Sequence, residues 1–303
     1  MLRYTPPVRT PLGSLLTAMV TPFAADGSVN LAAARRIARH LADTGSDGIV
    51  VCVTTGVGPT VTDREKLDLL EAVVSEVGAG TAVVANTGTY DTHHSVALTR
   101  SALALGIDGI LAVTPYYSKP PRAGILAHFG AVAEAAEGRP VVLYNIPQRV
   151  VLNLEPDLLG ELARIPNVVA VKQATPDLDQ ARRIVDETGL TLYAGNDDLV
   201  MPFLELGGAG GICVASHVAG RQIRHMIDLA HQGDIEAARS VDESLRGLYA
   251  ALAVTTNPIP IKAALNLLGL EAGGLRLPLV EADADETQAV AAALEAAGIL
   301  ARA

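Results

Sequence analysis

The chain has 303 residues, half of them apolar, which is enough for one large core or for a barrel carrying an appendage and excludes intrinsic disorder. Its 23 Lys and Arg against 33 Asp and Glu give a formal charge of −10, which supplies no positive stripe for a nucleic acid or an anionic membrane. Cys52 and Cys213 sit inside apolar runs, away from metal-ligand spacing, and read as buried thiols of a reducing compartment.

The first thirteen residues, MLRYTPPVRTPLG, put prolines where a signal peptide has its apolar stretch, and no run approaches about eighteen uninterrupted apolar residues. A cytoplasmic chain without a membrane span is expected. Short β-branched runs then recur at Leu15–Val20, Gly48–Val53, Ala82–Asn86, Gly109–Thr114, Pro140–Asn145, Val168–Lys172, Leu190–Gly195 and Gly211–Ala215. Helical patterns separate them. Asn30 precedes the apolar stripe Leu31, Ala34, Ala38 and Leu41, and Thr62 with Glu65 forms a capping-box signature ahead of Leu67, Leu70, Val74 and Val77. Thr175 followed by Pro176 reads as an N-cap with proline at the first helical position.

Strands that are apolar throughout and alternate with helices imply a parallel sheet with its outer face covered, and eight such units are the count of an α/β (β/α)₈ TIM barrel. A doubly wound sheet fits less well, because Thr21-Pro22-Phe23 stands where a glycine fingerprint would follow the first strand. After about residue 232 the strands stop, and Asp234–Ala253, Pro260–Leu268 and Glu286–Ala297 read as helices. The expected organisation is a barrel over 1–232 carrying the active site and a C-terminal helical region over 233–303.

Reacting groups in such a barrel come from the C-terminal ends of the strands. Lys172 ends the run Val168-Val169-Ala170-Val171 and is one of four lysines. An ammonium at the mouth of an apolar barrel loses hydration, which favours the free amine that attacks a carbonyl; a structural ion pair is the alternative. Tyr144, one strand earlier, and the hydroxyls of Thr54 and Thr55 could relay and orient protons around such an amine. His93-His94 read as solvated, and His217 as loop polarity that could touch a substrate. The glycines from Gly207 to Gly211 read as tight packing rather than a phosphate loop, and Asp197-Asp198 as a cap for the following helix. No spacing marks a metal.

Taken together, these residues resemble the dihydrodipicolinate synthase and N-acetylneuraminate lyase group of pyruvate-dependent class I aldolases. The motifs that carry the resemblance run in order along nearly the whole chain. They are Leu16-Thr17-Ala18-Met19-Val20-Thr21-Pro22-Phe23, Thr54-Thr55-Gly56, Val113-Thr114-Pro115-Tyr116-Tyr117, Tyr144-Asn145-Ile146-Pro147, Val171-Lys172-Gln173-Ala174-Thr175, Asn257-Pro258-Ile259-Pro260-Ile261-Lys262 and Leu275-Arg276-Leu277-Pro278. The resemblance implies that Lys172 forms a Schiff base with pyruvate and that the resulting enamine attacks an aldehyde, with no further cofactor. It makes Tyr144 the proton shuttle, linked through Thr55 to Tyr117, which reaches into the neighbouring subunit of a tight dimer. It also implies that Thr54 and Thr55 hold the pyruvate carboxylate, that the backbone near Gly195 and Ile212 lines the pocket, and that Arg149 receives the acceptor's carboxylate. A homodimer or a dimer-of-dimers homotetramer is the implied assembly.

The chain departs from the family pattern in its surroundings. The usual Thr-Thr-Gly-Glu-Ser reads Thr54-Thr55-Gly56-Val57-Gly58, Arg-Thr-Gly reads Arg149-Val150-Val151, the acid after the lysine is Gln173, and Gly-Asp-Asp is Gly195-Asn196-Asp197. Three readings follow: condensation of pyruvate with aspartate semialdehyde on the route to diaminopimelate and lysine; a paralogous aldolase or dehydratase taking a less charged acceptor, which Val57, Val150 and Val151 favour; and a non-catalytic barrel homologue. At the interface where some members bind lysine, the aligned positions are Gly58, Pro59, Asp63, Lys66, Tyr90 and His94, so no inhibition by lysine is expected.

Overall fold

In the computed structural model, which describes residues 12–301, the apolar runs pair in parallel and in chain order, and the last closes onto the first. The strands are β1 (Leu15–Ala18), β2 (Gly48–Val51), β3 (Ala82–Asn86), β4 (Gly109–Val113), β5 (Val141–Asn145), β6 (Val168–Gln173), β7 (Thr191–Ala194) and β8 (Gly210–Cys213). Around them run α1 (Leu31–Asp43), α2 (Asp63–Val77), α3 (Thr92–Leu103), α4 (Arg122–Ala135), the single turn α5 (Pro147–Val150), α6 (Pro156–Leu162), α7 (Leu178–Glu187), α8 (Val200–Glu205) and α9 (Ser216–His231). Three further helices follow the barrel as expected: α10 (Ile235–Ala251), α11 (Ile259–Leu267) and α12 (Ala284–Ala296). Most of the N-terminal stretch that was read for a leader lies outside the described residues. No helix among the described residues is long and apolar enough to cross a membrane.

Local signals account for most helix starts. Asn30 accepts a hydrogen bond from the Ala33 amide, and Thr62 with Glu65 closes the capping box reciprocally. Thr175 does not cap α7. Its hydroxyl accepts from Gln173 Nε2 and from the Asp177 amide, and Asp177 caps the helix by accepting from the Gln180 amide at 2.9 Å. Pro176 therefore belongs to the turn before the helix.

Alternate strand residues divide two cores. Leu16, Ala18, Val50, Val84, Leu111, Val142, Ala170 and Ile212 fill the barrel, and intervening residues such as Leu15, Ile49, Val83 and Ile110 pack against the helices. One register change matters for the site. Val141 pairs with Val168, but Val142 pairs with Ala170, so Val169 is an extra residue in β6 and Tyr144 faces Lys172 across the strand pair.

The glycine run before β8 packs tightly, as expected: Gly210 lies at φ 145°, and a Cβ there would sit 2.1 Å from the Ser14 carbonyl oxygen. After α11 the chain returns to the barrel through Arg276, which donates to the carbonyls of Gly27 and Thr60 at 2.9 and 2.7 Å and to both Glu65 oxygens. The Phe23 ring lies between the Lys262 ammonium and the Arg276 guanidinium, each 4.5 Å from its centroid.

His217 is not loop polarity. It is fully buried; Nε2 accepts from the Val20 amide at 3.1 Å, and Nδ1 donates to the Val214 carbonyl at 2.8 Å, fixing the ends of β1 and β8 together. A proton on Nε2 would face a donor, and burial pushes the ring's pKa down from 6.5 to about 4. Burial does the same to His128, also to about 4. Both rings are neutral in the fold and gain protons on unfolding below pH 6.5, so stability is complete above that value and is lost as the pH falls toward 4. Urea titrations should show this fall, and His217→Gln, which keeps an acceptor but cannot titrate, should flatten it by up to about 1.4 kcal/mol per pH unit. A flat wild-type profile across that range would contradict the assignment.

Candidate active site

The C-terminal mouth of the barrel opens into a cavity of about 610 Å³ whose wall includes Thr54, Thr55, Tyr144, Arg149, Lys172 and Gly195. Lys172 is 3% exposed, and its Nζ lies 4.4 Å from the centroid of the Tyr144 ring. The register of β5 and β6 makes this contact, since paired residues of adjacent strands point to the same side of the sheet.

The threonine pair sits on a tight turn after β2. Cys52 at φ 62° and Val57 at φ 50° hold left-handed backbone at its two ends, and a Cβ on Gly58 would sit 2.1 Å from the Cys52 carbonyl oxygen. Bonds from the Val57 amide to the Thr54 carbonyl and from Thr21 Oγ1 to the Gly56 carbonyl, 3.0 and 2.7 Å, lock the turn. Thr55 is buried there, and its Oγ1 accepts from Asn257 Nδ2 at 3.0 Å. Arg149 stands on α5, where its Nη2 donates to Thr256 Oγ1 at 3.3 Å. Two residues beyond the barrel thus hold two barrel residues of the site. Asn257 belongs to a motif quoted above, but nothing in strand-end reasoning points to a residue that follows α10.

Asp197 departs from its expected role. Its carboxylate accepts from the Val214 and Ala215 amides at 2.9 and 3.1 Å and so anchors the turn after β8 rather than capping a helix. Burial pushes its pKa up against the opposing pull of those amides and of the Lys172 ammonium. Gln173 lies beneath the mouth in a neutral chain, accepting from Asn145 Nδ2 at 2.9 Å and donating to Thr175. Cys52 and Cys213 are free and buried, and burial raises both thiols, Cys52 to about 12. Among the described residues no group of three or more His, Cys, Asp or Glu is placed to hold a metal.

Two expected site residues stand apart. Ile212 is packed in the barrel interior and Val214, just after β8, lines the cavity, while Tyr117 is 93% exposed at φ 71° and does not line it. His94 donates toward Asp63, which also holds the Lys66 ammonium at 3.1 Å. A second cavity of about 330 Å³ lies beside the first. The two share Thr54, Tyr144, Ile146, Arg149 and Asn257, and the second is closed by Val57, Val150, Pro278 and Leu279.

Comparison with known proteins gives a consistent picture. Residues 11–297 match the Dihydrodipicolinate synthetase family. A 4-hydroxy-tetrahydrodipicolinate synthase of Mycolicibacterium paratuberculosis is 48% identical over 95% of this chain and 96% of the relative. A crystal structure of DHDPS from Cyanidioschyzon merolae with lysine bound superposes with a TM-score of 0.93 at 43% identity, covering 95% of this chain and 99% of the other. A chloride-inhibited dihydrodipicolinate synthase from Acinetobacter baumannii, complexed with pyruvate, superposes with a TM-score of 0.92 at 32% identity, covering 95% and 100%.

Val151 shows strain at the rim. It closes α5 in left-handed backbone, φ 66°, with a β-branched side chain that is 66% exposed and so gains little by burial. Val151→Gly should raise the unfolding free energy by about 1 kcal/mol, the relieved strain outweighing the added freedom of the unfolded chain. Urea unfolding of the two proteins checks this, and a less stable glycine variant would refute it.

Proposed function

The chain belongs to the Dihydrodipicolinate synthetase family, whose members are lyase-type enzymes, and from that premise we propose that it is a 4-hydroxy-tetrahydrodipicolinate synthase, the name its relatives carry, condensing pyruvate with aspartate semialdehyde through an imine on Lys172. The observation that carries this reading is the buried Lys172 amine held against Tyr144 at the mouth of a closed barrel. The amine adds to the keto carbon of pyruvate, and the carbinolamine loses water to give the imine. Loss of a methyl proton gives the enamine, whose carbon bonds to the aldehyde carbon while the aldehyde oxygen takes a proton. The acceptor's own amine then displaces Lys172 from the imine carbon, closing a ring and returning the free lysine. All the carbonyl chemistry runs through the imine, so no external cofactor enters.

In this reading Tyr144 moves the protons, Thr54 and Thr55 receive the pyruvate carboxylate and Arg149 takes the carboxylate of the acceptor, a match of planar fork to planar anion. Gly195 and the backbone near Ile212 shape the pocket. Tyr117 completes the relay from a second copy, and its exposure, with that of Tyr90 and Leu277, supports a dimer. A pair of such dimers is the proposed assembly. The apolar walls Val57 and Val150 favour a second reading, in which the same imine meets a less charged acceptor.

Borohydride reduction with pyruvate, followed by mass spectrometry, should map a pyruvate-sized adduct to Lys172 that Lys172→Ala abolishes. Tyr144→Phe should still form the adduct slowly and lose turnover by about 10² or more. Arg149→Ala should raise KM for aspartate semialdehyde far more than for pyruvate; equal loss for both would favour the less charged acceptor. No adduct on the folded protein would favour the non-catalytic reading.

The relative from Cyanidioschyzon merolae has lysine bound. Here Lys66 is buried, and its Asp63 partner is also engaged by His94 at 2.6 Å, so a lysine ammonium would meet a cation and an occupied carboxylate. Millimolar lysine should leave turnover unchanged, and suppression would defeat this expectation.

A further inference from the structure

We propose that Asn257 is a positioning residue that sets the direction of the Thr55 hydroxyl, an inference that rests on the imine chemistry assigned above. Its Nδ2 donates to Thr55 Oγ1 at 3.0 Å. A hydroxyl has one proton to give, and an oxygen that accepts from an amide keeps that proton for a different partner. Thr55 is buried and lines the cavity together with Tyr144, so with Asn257 donating to its oxygen its proton is left for Tyr144 or the substrate carboxylate. A donor at position 257 thus makes Thr55 a donor in turn, and an acceptor there would draw the proton the other way.

Two further observations point to ligand rather than to packing. Asn257 Oδ1 is buried and has no hydrogen-bond partner among the described residues, an arrangement that costs free energy until a donor arrives. The same residue lines both cavities, which meet at Thr54, Tyr144, Ile146 and Arg149. Its neighbour Thr256 accepts from Arg149. The turn that follows α10 therefore holds both ends of the site, the hydroxyl beside the amine and the guanidinium proposed for the acceptor.

The test is Asn257→Asp, which keeps the shape and replaces the donor amide with an acceptor that is charged when ionised. An ionised carboxylate accepts and cannot donate, so Thr55 must give its proton to it and the relay reverses. Turnover should fall about tenfold to a hundredfold at pH 8 and KM for pyruvate should rise, because its carboxylate loses the Thr55 donor, while the borohydride-trapped adduct at Lys172 still forms. A carboxyl buried at this site titrates above its ordinary value of about 3.9, and once protonated it donates again. The ratio of variant to wild-type kcat should therefore rise as pH is lowered from 8 to 5. Taking the ratio to wild type at each pH removes what is common to both proteins, including the other charged and titratable groups of the cavity, Tyr144, Arg149, Lys172, Asp197, Asp198, Arg246 and Tyr249.

Asn257→Ala, with neither donor nor acceptor, should be slow with a flat ratio, and thermal melting of all three proteins separates loss of fold from loss of function. Wild-type turnover in Asn257→Asp at pH 8, or an Asp variant impaired equally at every pH, overturns the inference and leaves the imine reading standing. A wild-type chain that traps no pyruvate overturns both.

Discussion

The pairing of β5 with β6 slips by one residue at Val169, and the chemistry at the mouth of the barrel depends on that slip. Without the extra residue, Tyr144 would face Val171, whose side chain packs outward against the helices, and Lys172 would have no aromatic ring at its flank. A strand has a period of two, so one inserted residue exchanges the faces of everything beyond it. Ala170 and Lys172 point inward and Val171 outward, and the same parity on β5 puts Val142 and Tyr144 inside. The contact of ammonium with ring at 4.4 Å is thus a property of the sheet as much as of the two side chains.

Around that pair the acid nearest in effect and the amide next in sequence are both held. Asp197 is tied to the two amides that follow β8 and is the carboxylate whose titration feels Lys172. Gln173, next in sequence to the lysine, belongs to a series of amides in which Asn145 also donates to Asn153, and Asn153 to Glu155 at the exposed end. An acid at 173 would bring a second negative charge into a buried run of amides that already satisfy one another. With glutamine there, Asp197 is a carboxyl group of the mouth that feels Lys172, and it is held in place by backbone amides.

Much of this was legible in the residues. Eight apolar runs alternating with capped helices identify the barrel, and Lys172 at the end of such a run stands out because the chain has four lysines. What escaped were features that depend on three-dimensional closure. His217 read as loop polarity and Asp197 as a helix cap because a loop sequence does not say which amide its side chain will meet, and the two turn out to hold the turns that follow β1 and β8. Asn257 lies 202 positions from Thr55, and no periodicity links them. The start of α7 was misread for a smaller reason, since Thr175 and Asp177 are both good caps and the choice rested on a hydrogen bond from Gln173.

The centre and its walls differ in how freely they can vary. Moving Lys172 or Tyr144 by one position flips it out of the barrel, so those two are constrained by the sheet itself. Val57 is constrained only by its left-handed backbone and its place in an apolar wall. A carboxylate buried at that position would need a counter-charge, and Lys66, which lines the same cavity, is already paired with Asp63. Valine leaves that pair undisturbed and gives the second cavity a dry wall facing Val150 and Leu279. Relative to the pattern it resembles, the chain thus has apolar surface in place of charge on the wall of a cavity that Tyr144 lines and Lys172 does not.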